Sequence, residues 1–221
     1  HIYLPCATAF FPKREAEMKL VWCPETASQA FIAGVSALSD AEHGPAGSAG
    51  VAELVSAMVG GWNAQLVVEA PEVSAPDSAT MSLALAAAAG RTGGRYARVL
   101  PDEDADRAMA ELEGVDFLVV DARRRDGAAV LAAARPGPRG MVVVRHGDER
   151  RPGTKALEAS MAAGTRVVRS VYLPVDKGVE VLHVGVGKGP SLQCRRSRSA
   201  SSRWIRHVDH KTGEEHLFRR P

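Results

Sequence analysis

Short apolar runs without polar interruption recur along the chain, and each is bounded by polar residues or by glycine and proline. Residues 117–120, Phe-Leu-Val-Val, end at Asp121, and the runs at 66–68 and 141–144 have the same character. Runs of strand-forming residues that lack polar alternation are typical of strands buried on both faces of a parallel sheet. The predicted strands cover residues 64–69, 95–100, 117–120, 141–144, 166–173 and 179–186.

Apolar residues at helical spacing lie between these strands. The first such stripe is Ala27, Phe31, Val35 and Leu38, and a loop rich in glycine and proline follows it. The predicted helices cover residues 25–39, 48–60, 77–89, 103–113, 126–135 and 155–163. Strand and helix therefore alternate in the order that builds right-handed βαβ crossovers and a parallel sheet.

The last two predicted strands, 166–173 and 179–186, are joined only by residues 174–178, Pro-Val-Asp-Lys-Gly. A loop this short connects antiparallel neighbours. The sequence therefore predicts an α/β fold of the Rossmann-like type. We expect a three-layer sandwich whose mostly parallel sheet ends in an antiparallel hairpin.

Charge is unevenly distributed along the 221 residues, whose net charge is +2. From Lys188 onward there are nine Lys or Arg and three acidic residues, so this tail carries +6 and the rest carries −4. Segment 188–203 is a basic Ser/Arg-rich linker. The sequence leaves three interpretations of it open: contact with nucleic-acid phosphates, phosphorylation by a kinase, or a solvated linker without a partner. We expect a disordered leader or upstream extension at 1–17, an α/β domain at 18–187 and a C-terminal hairpin at 204–221.

The three cysteines, Cys6, Cys23 and Cys194, are widely spaced and form no Cys-x-x-Cys pair. Their spacing argues against a disulfide framework and a structural zinc site, and it favours a reducing compartment, cytoplasmic or nuclear. The longest apolar stretch, residues 79–89, is shorter than the roughly 20 residues needed to span a bilayer. No membrane partner is therefore expected.

Carboxylates follow three successive predicted strands: Glu69, then Asp102 or Glu103, then Asp121. Because ligands of open α/β sheets bind outside the carboxyl ends of the strands, these side chains are candidates for a single site. Carboxylates there accept hydrogen bonds from a ribose diol or an ammonium group, or they hold a cation. The alternative is that each one caps a helix or is a solvated loop charge.

The loop after Glu69 contains Pro71 and Pro76 and no glycine. It therefore lacks the Gly-x-Gly-x-x-Gly pattern that places a dinucleotide pyrophosphate at a helix N-terminus. Nucleophilic hydrolysis has no support either, because the chain has neither a Gly-x-Ser-x-Gly turn nor a Cys-His pairing pattern.

Several motifs of the chain are shared with one protein family. They are Met18-Lys-Leu-Val-Trp22, Pro24-Glu-Thr-Ala-Ser28, Val51-Ala-Glu-Leu-Val-Ser-Ala-Met58, Gly61-Trp-Asn-Ala64, residues 114–124, Arg166-Val-Val-Arg-Ser-Val171 and Ser202-Arg-Trp-Ile-Arg206. On these motifs the chain resembles the plant domain-of-unknown-function 1442 family, which is grouped with the S-adenosylmethionine-dependent methyltransferase superfamily. Residues 24–25, 117–122 and 173–178 are also distantly similar to class I methyltransferases of the caffeoyl-coenzyme A O-methyltransferase type.

This resemblance implies a class I methyltransferase-type fold with S-adenosylmethionine as the cofactor. It implies that Glu69 lies at the methionine end of the cofactor and that Asp102 or Glu103 lies near the ribose. It implies that Asp121 has the catalytic position, where metal and substrate meet. The Asp-Asn pair expected beside Asp121 is replaced by Arg145-His146, so no metal ligands are assigned in this chain.

The sequence leaves three functions open. The first is a methyltransferase-like protein of unknown substrate. It would bind S-adenosylmethionine weakly or not at all, since Pro71 and Pro76 remove backbone donors and restrict φ. The second is a non-catalytic interaction or regulatory protein on a degenerate methyltransferase scaffold, with a small-molecule or protein partner. The third is a nucleic-acid-associated protein that acts through its basic tail. Whether the chain is an enzyme is not decided by its sequence.

Overall fold

The computed structural model describes residues 22–40, 49–75, 77–101, 104–147, 159–187, 204–208 and 215–219. The helices are α1 (Pro24–Asp40), α2 (Ala49–Trp62), α3 (Ser78–Thr92), α4 (Ala105–Ala110) and α5 (Gly127–Ala133). The strands are β1 (Leu66–Ala70), β2 (Arg95–Arg98), β3 (Glu113–Val115), β4 (Phe117–Asp121), β5 (Arg135–Pro136), β6 (Met141–His146), β7 (Thr165–Leu173), β8 (Val179–Val186), β9 (Trp204–Val208) and β10 (Glu215–Arg219).

Six strands form one mixed sheet in the order β2-β1-β4-β6-β8-β7. Strand β1 pairs in parallel with β2 and β4, and β4 pairs in parallel with β6. Strand β8 runs antiparallel to β7, because the short connection between them turns the chain back on itself, and β8 also pairs antiparallel with β6. The predicted parallel sheet with a final antiparallel hairpin is confirmed.

The side chains of the central strand, β4, alternate between two apolar cores, one on each face of the sheet. Phe117 and Val119 pack in the core formed with α1, α2 and α3, whereas Leu118 and Val120 pack in the core formed with α4 and α5. Each large side chain buried in this way stabilises the fold by about 1.5–3 kcal/mol. Burial on both faces explains why the strand is an unbroken apolar run. It also confirms the predicted three layers.

The register of the parallel strands determines which residues meet at the carboxyl edge of the sheet. Glu69 on β1 is the partner of Arg98 on β2 and of Val119 on β4. Asp121, the last residue of β4, is the partner of His146 on β6. The loops that follow β1, β2, β4 and β6 therefore leave the sheet at the same edge.

Several predicted helix boundaries are wrong. The helix predicted at 155–163 does not extend beyond residue 159, because residues 160–163 form turns and coil. Helix α3 continues through Gly90 to Thr92 and is followed by Gly93, which has the left-handed φ of 66° that glycine adopts readily. The helix predicted at 103–113 is only Ala105–Ala110, because β3 pairs in parallel with β5 in a small second sheet. Backbone pairing with a distant segment thus overrides the local helical pattern of this stretch.

The backbone of β9 pairs antiparallel with that of β10 in a separate two-stranded sheet, with His207 opposite His216. The predicted leader 1–17, residues 155–158 of the predicted helix 155–163, and the basic segment 188–203 lie outside the described residues. The predicted domain boundaries stay predictions. Among the described residues, no helix is long and apolar enough to cross a membrane.

Candidate ligand site at the carboxyl edge of the sheet

Two of the predicted site residues lie at the carboxyl edge, and both are almost fully buried. Glu69 is 1% exposed near the end of β1, and Asp121 is 2% exposed at the end of β4. By strand alternation both side chains project toward the face that carries α3. Asp102 and Glu103, which were predicted to lie near a ribose, are outside the described residues.

The carboxylate of Glu69 is held by a hydrogen-bonded cluster inside the protein. The Ser82 hydroxyl on α3 donates to Glu69 Oε2 at 2.8 Å, and the Tyr96 hydroxyl on β2 donates to the same oxygen. Arg98 Nε lies 3.7 Å from Oε2. Burial raises the pKa of Glu69, while the hydrogen bonds from Tyr96 and Ser82 partly oppose the shift. This carboxylate therefore binds α3 and β2 to the end of β1.

Asp121 is bound by Arg123, two residues further along the chain. The backbone N–H and Nε of Arg123 donate to Asp121 Oδ1 at 2.9 and 2.8 Å, and Nη2 donates to Oδ2 at 2.5 Å. The same Nη2 donates to Asp77 Oδ1 at 2.8 Å. Burial opposes ionisation of Asp77, but the hydrogen bond and charge of Arg123 hold its pKa below the usual value. One guanidinium thus joins the start of α3 to the end of β4.

The imidazole of His146 lies behind this ion-pair cluster. It is 7% exposed and borders a cavity of about 10 Å³, which Asp77, Asp176 and Gly147 also line. Burial lowers the pKa of His146, and the charges of Asp121 and Asp77 only partly oppose that shift. The ring is therefore neutral at pH 7. A cavity of this volume has room for about one water molecule.

Arg124 connects the end of β4 to the end of β2. Its Nη1 donates to the carbonyl oxygen of Val99, and its Nη2 lies 3.3 Å from that of Leu100. Its Nε donates to Asp126 Oδ1 at 2.7 Å, and this hydrogen bond holds the pKa of Asp126 below its usual value. The Arg124 side chain is fully buried, whereas the side chain of Asp126 is 31% exposed, so only the guanidinium end of this ion pair is shielded from water.

An open cleft of about 610 Å³ lies in front of these clusters, within the size range of ligand pockets. Its walls come from the loops after β1, β2 and β4. The lining residues are Glu72, Ser74, Ala75, Pro101, Arg123, Arg125 and Asp126. The cleft therefore presents carboxylate, hydroxyl and guanidinium groups to a ligand.

Sequence reasoning did not identify three residues of this edge, Arg123, Asp77 and His146, as site residues. Asp77 stands at the N-cap position of α3, but its side chain makes no cap hydrogen bond. Arg123 is the second residue after Asp121 in the sequence. Its spacing of two residues from a strand-end carboxylate is the one signal that indicated a contact.

Arg145 was also expected beside Asp121, and the structure corrects that expectation. Arg145 Nη1 lies 3.3 Å from Glu180 Oε2, and the two residues are partners on neighbouring strands. By strand alternation Arg145 projects to the face opposite Asp121. Within the described part of the chain, no group of three or more His, Cys, Asp or Glu side chains is arranged to hold a metal ion.

No curated protein matches the chain. A methyltransferase from Geobacter sulfurreducens is similar in structure, with 14% identity, a TM-score of 0.43, and coverage of 71% of this chain and 88% of that chain. An O-methyltransferase from Bacillus cereus in complex with SAH has 12% identity and a TM-score of 0.39, with 70% and 90% covered.

A third similar structure is an O-methyltransferase from Streptomyces achromogenes, involved in tomaymycin synthesis, in complex with SAM. It has 17% identity and a TM-score of 0.38, and 76% of this chain and 92% of that chain are covered. The profile of one family matches residues 18–108 and 97–220, which together are most of the sequence. The chain therefore belongs to the family described as "Protein of unknown function (DUF1442)".

Proposed function

We propose that this protein is a methyltransferase-like protein that binds S-adenosylmethionine, or its demethylated product, in the cleft at the carboxyl ends of β1, β2 and β4. The observation that carries the proposal is the cleft itself, with its volume of about 610 Å³ and its mixed lining of charges. Ligands of open α/β sheets bind outside the carboxyl ends of the strands.

The lining residues have the chemistry that such a ligand needs. The guanidinium group of Arg125 suits the carboxylate of an amino-acid moiety, and the carboxylate of Glu72 suits an ammonium group or a ribose diol. Arg123 and Asp126 also line the cleft, but their charges are paired within the protein. Glu69 lies outside this set, because Ser82, Tyr96 and Arg98 already bind its carboxylate. When bound, S-adenosylmethionine would supply an electrophilic methyl group.

The arrangement favours ligand binding over transfer of the methyl group at Asp121. An acceptor hydroxyl needs a free base or a cation to orient it. Asp121 accepts three hydrogen bonds from Arg123, so its carboxylate is not available to orient or deprotonate a methyl-acceptor hydroxyl. We therefore infer a binding or regulatory protein on a methyltransferase-type fold, with weak affinity because the loop after β1 contains Pro71 and no glycine.

A thermal melt with calorimetry tests the proposal. A ligand at ten times its dissociation constant stabilises the folded state by about 1.4 kcal/mol, which is a rise in melting temperature of about 3–6 °C for a chain of this length. We expect this rise with S-adenosylmethionine and with S-adenosylhomocysteine. We expect it to be reduced in Glu72→Gln and Arg125→Ala.

Glu113→Gln and Arg135→Ala are the matched controls. These residues form an exposed ion pair on β3 and β5, away from the cleft, and the two substitutions remove the same charges. They should leave the ligand-induced rise unchanged. Absence of any rise at millimolar ligand, with the protein folded, would refute ligand binding and favour an interaction protein.

A further inference from the structure

Arg123 makes a bidentate contact with a buried carboxylate. Its Nε and Nη2 donate to the two oxygens of Asp121 at 2.8 and 2.5 Å, the paired geometry that a planar guanidinium forms with a carboxylate. Nη2 also reaches Asp77 at 2.8 Å. Two carboxylates from distant parts of the chain thus converge on one cation that belongs to the protein.

The backbone closes over this contact at Gly147. A Cβ atom added at that position would lie 3.0 Å from Arg123 Nε and 3.0 Å from Asp121 Oδ1, and the φ of +92° is one that residues with side chains rarely adopt. A glycine is therefore needed for the loop after β6 to pass so near the guanidinium. The pocket matches the shape of the arginine and leaves little room beside it.

A divalent metal ion does not fit this arrangement. Mg²⁺ and Mn²⁺ need several oxygen ligands directed at one point, and no such group is present among the described side chains. Arg145, the residue next to His146, is turned to the other face of the sheet and binds Glu180. The carboxylate that the resemblance assigns to a metal is instead neutralised from within the chain.

We propose that Arg123 is the resident cation of this edge and takes the place that the resembling methyltransferases give to a divalent metal ion. The pocket formed by Asp121 and Asp77 selects a planar guanidinium. Metal ions therefore do not bind the wild-type site. If Arg123 is truncated, the vacated pocket accepts a free guanidinium ion in preference to Mn²⁺ or Mg²⁺.

The test compares melting temperatures of the wild type, Arg123→Ala and the neighbouring control Arg125→Ala at matched ionic strength. Losing one partner of a buried ion pair is costly, so we expect Arg123→Ala to melt about 5–10 °C below the control. Low millimolar guanidinium should recover part of that loss. Urea, which has the same shape and no charge, should not. MnCl₂ and MgCl₂ should leave all three proteins unchanged.

A second variant guards against the case in which Arg123→Ala does not fold. Arg123→Lys keeps the charge without the two-pronged donor, so we expect a smaller loss of melting temperature and weaker recovery by guanidinium. Three results would overturn the proposal. The first is a stabilisation of the wild type by a metal ion that Asp121→Asn abolishes. The second is a recovery of the melting temperature of Arg123→Ala by Mn²⁺ but not by guanidinium. The third is a melting temperature of Arg123→Ala equal to that of the control Arg125→Ala.

Discussion

Asp121 and His146 end neighbouring parallel strands as register partners, and the backbone N–H of Ala122 donates to the carbonyl oxygen of His146 at 2.8 Å. The pairing of β4 with β6 thus continues one residue beyond the last residue of β4 and holds a carboxylate beside an imidazole. Both side chains are buried, at 2% and 7% exposure. The electrostatics of this edge are therefore only weakly screened by solvent.

The buried imidazole predicts a pH dependence of stability. The pKa of His146 is lowered from its usual 6.5, so the folded protein binds its proton less readily than the unfolded chain does. The stability that this neutral ring contributes is present above about pH 6.5 and is lost as the pH falls below it. We expect urea unfolding between about pH 7 and about pH 5 to show a shallower pH slope in His146→Gln than in the wild type.

His183 provides the comparison for this measurement. Burial and the charge of Arg169 lower its pKa in the same direction, so His183→Gln should also reduce the slope and the double variant should reduce it most. Glu69 acts with the opposite sign, because its pKa is raised by burial. If the unfolding free energy of His146→Gln has the same pH slope as that of the wild type, the lowered pKa of His146 is contradicted.

Glu69 predicts the reverse pH dependence. Its pKa is raised above the usual 4.5, so the folded protein holds the proton more tightly, and stability is lost as the pH rises through the folded-state pKa. Glu69→Gln keeps an acceptor for Tyr96 and Ser82 and cannot ionise. Its stability relative to the wild type should therefore increase with pH, as measured by urea unfolding at a series of pH values.

Glu69→Ala is the companion variant. It leaves the hydroxyls of Tyr96 and Ser82 without their acceptor, which costs about 1–3 kcal/mol of unfolding free energy. Equal stabilities of the Ala and Gln variants at every pH would show that the hydrogen bonds to Glu69 contribute nothing.

We expect substitution of Arg124 to lower the unfolding free energy more than substitution of an exposed arginine does. Its fully buried guanidinium donates to the carbonyl oxygen of Val99, so Arg124→Ala leaves that acceptor without a donor and should cost about 1–3 kcal/mol. Arg135→Ala, in an exposed pair with Glu113, should cost less than about 1 kcal/mol. Chemical denaturation of both variants checks the contrast. Losses of similar size would show that Arg124 is not needed to hold β2 against β4.

We expect glycine-to-alanine substitutions at two positions to change the stability of the fold in opposite directions. Gly90 lies inside α3 with nothing within 4 Å of an added Cβ, so Gly90→Ala should stabilise the protein by about 0.5–1 kcal/mol. Gly140 has a φ of +80°, and an added Cβ would lie 2.2 Å from the carbonyl oxygen of Val184. Gly140→Ala should therefore lower the melting temperature clearly. The same sign for both variants would contradict the packing at one of the two positions.

Local sequence was enough to predict the layered architecture. Strands β1, β4 and β6 are unbroken apolar runs because each lies between two helical layers and has no solvent-facing side. The short loop between β7 and β8 determined that these strands run antiparallel. The placement of Glu69 and Asp121 at one edge followed from the parallel order of the strands.

The partners of those carboxylates were decided by the tertiary structure. Asp77 reaches Arg123 across 46 residues of sequence because α3 crosses back over the sheet, and Tyr96 reaches Glu69 because β2 pairs with β1. No local pattern records whether a strand-end carboxylate meets a ligand or an arginine from its own chain, because that choice depends on packing between distant segments. The sequence alone determined the sheet and its carboxyl edge, and the fold determined that the acids of this edge are bound internally.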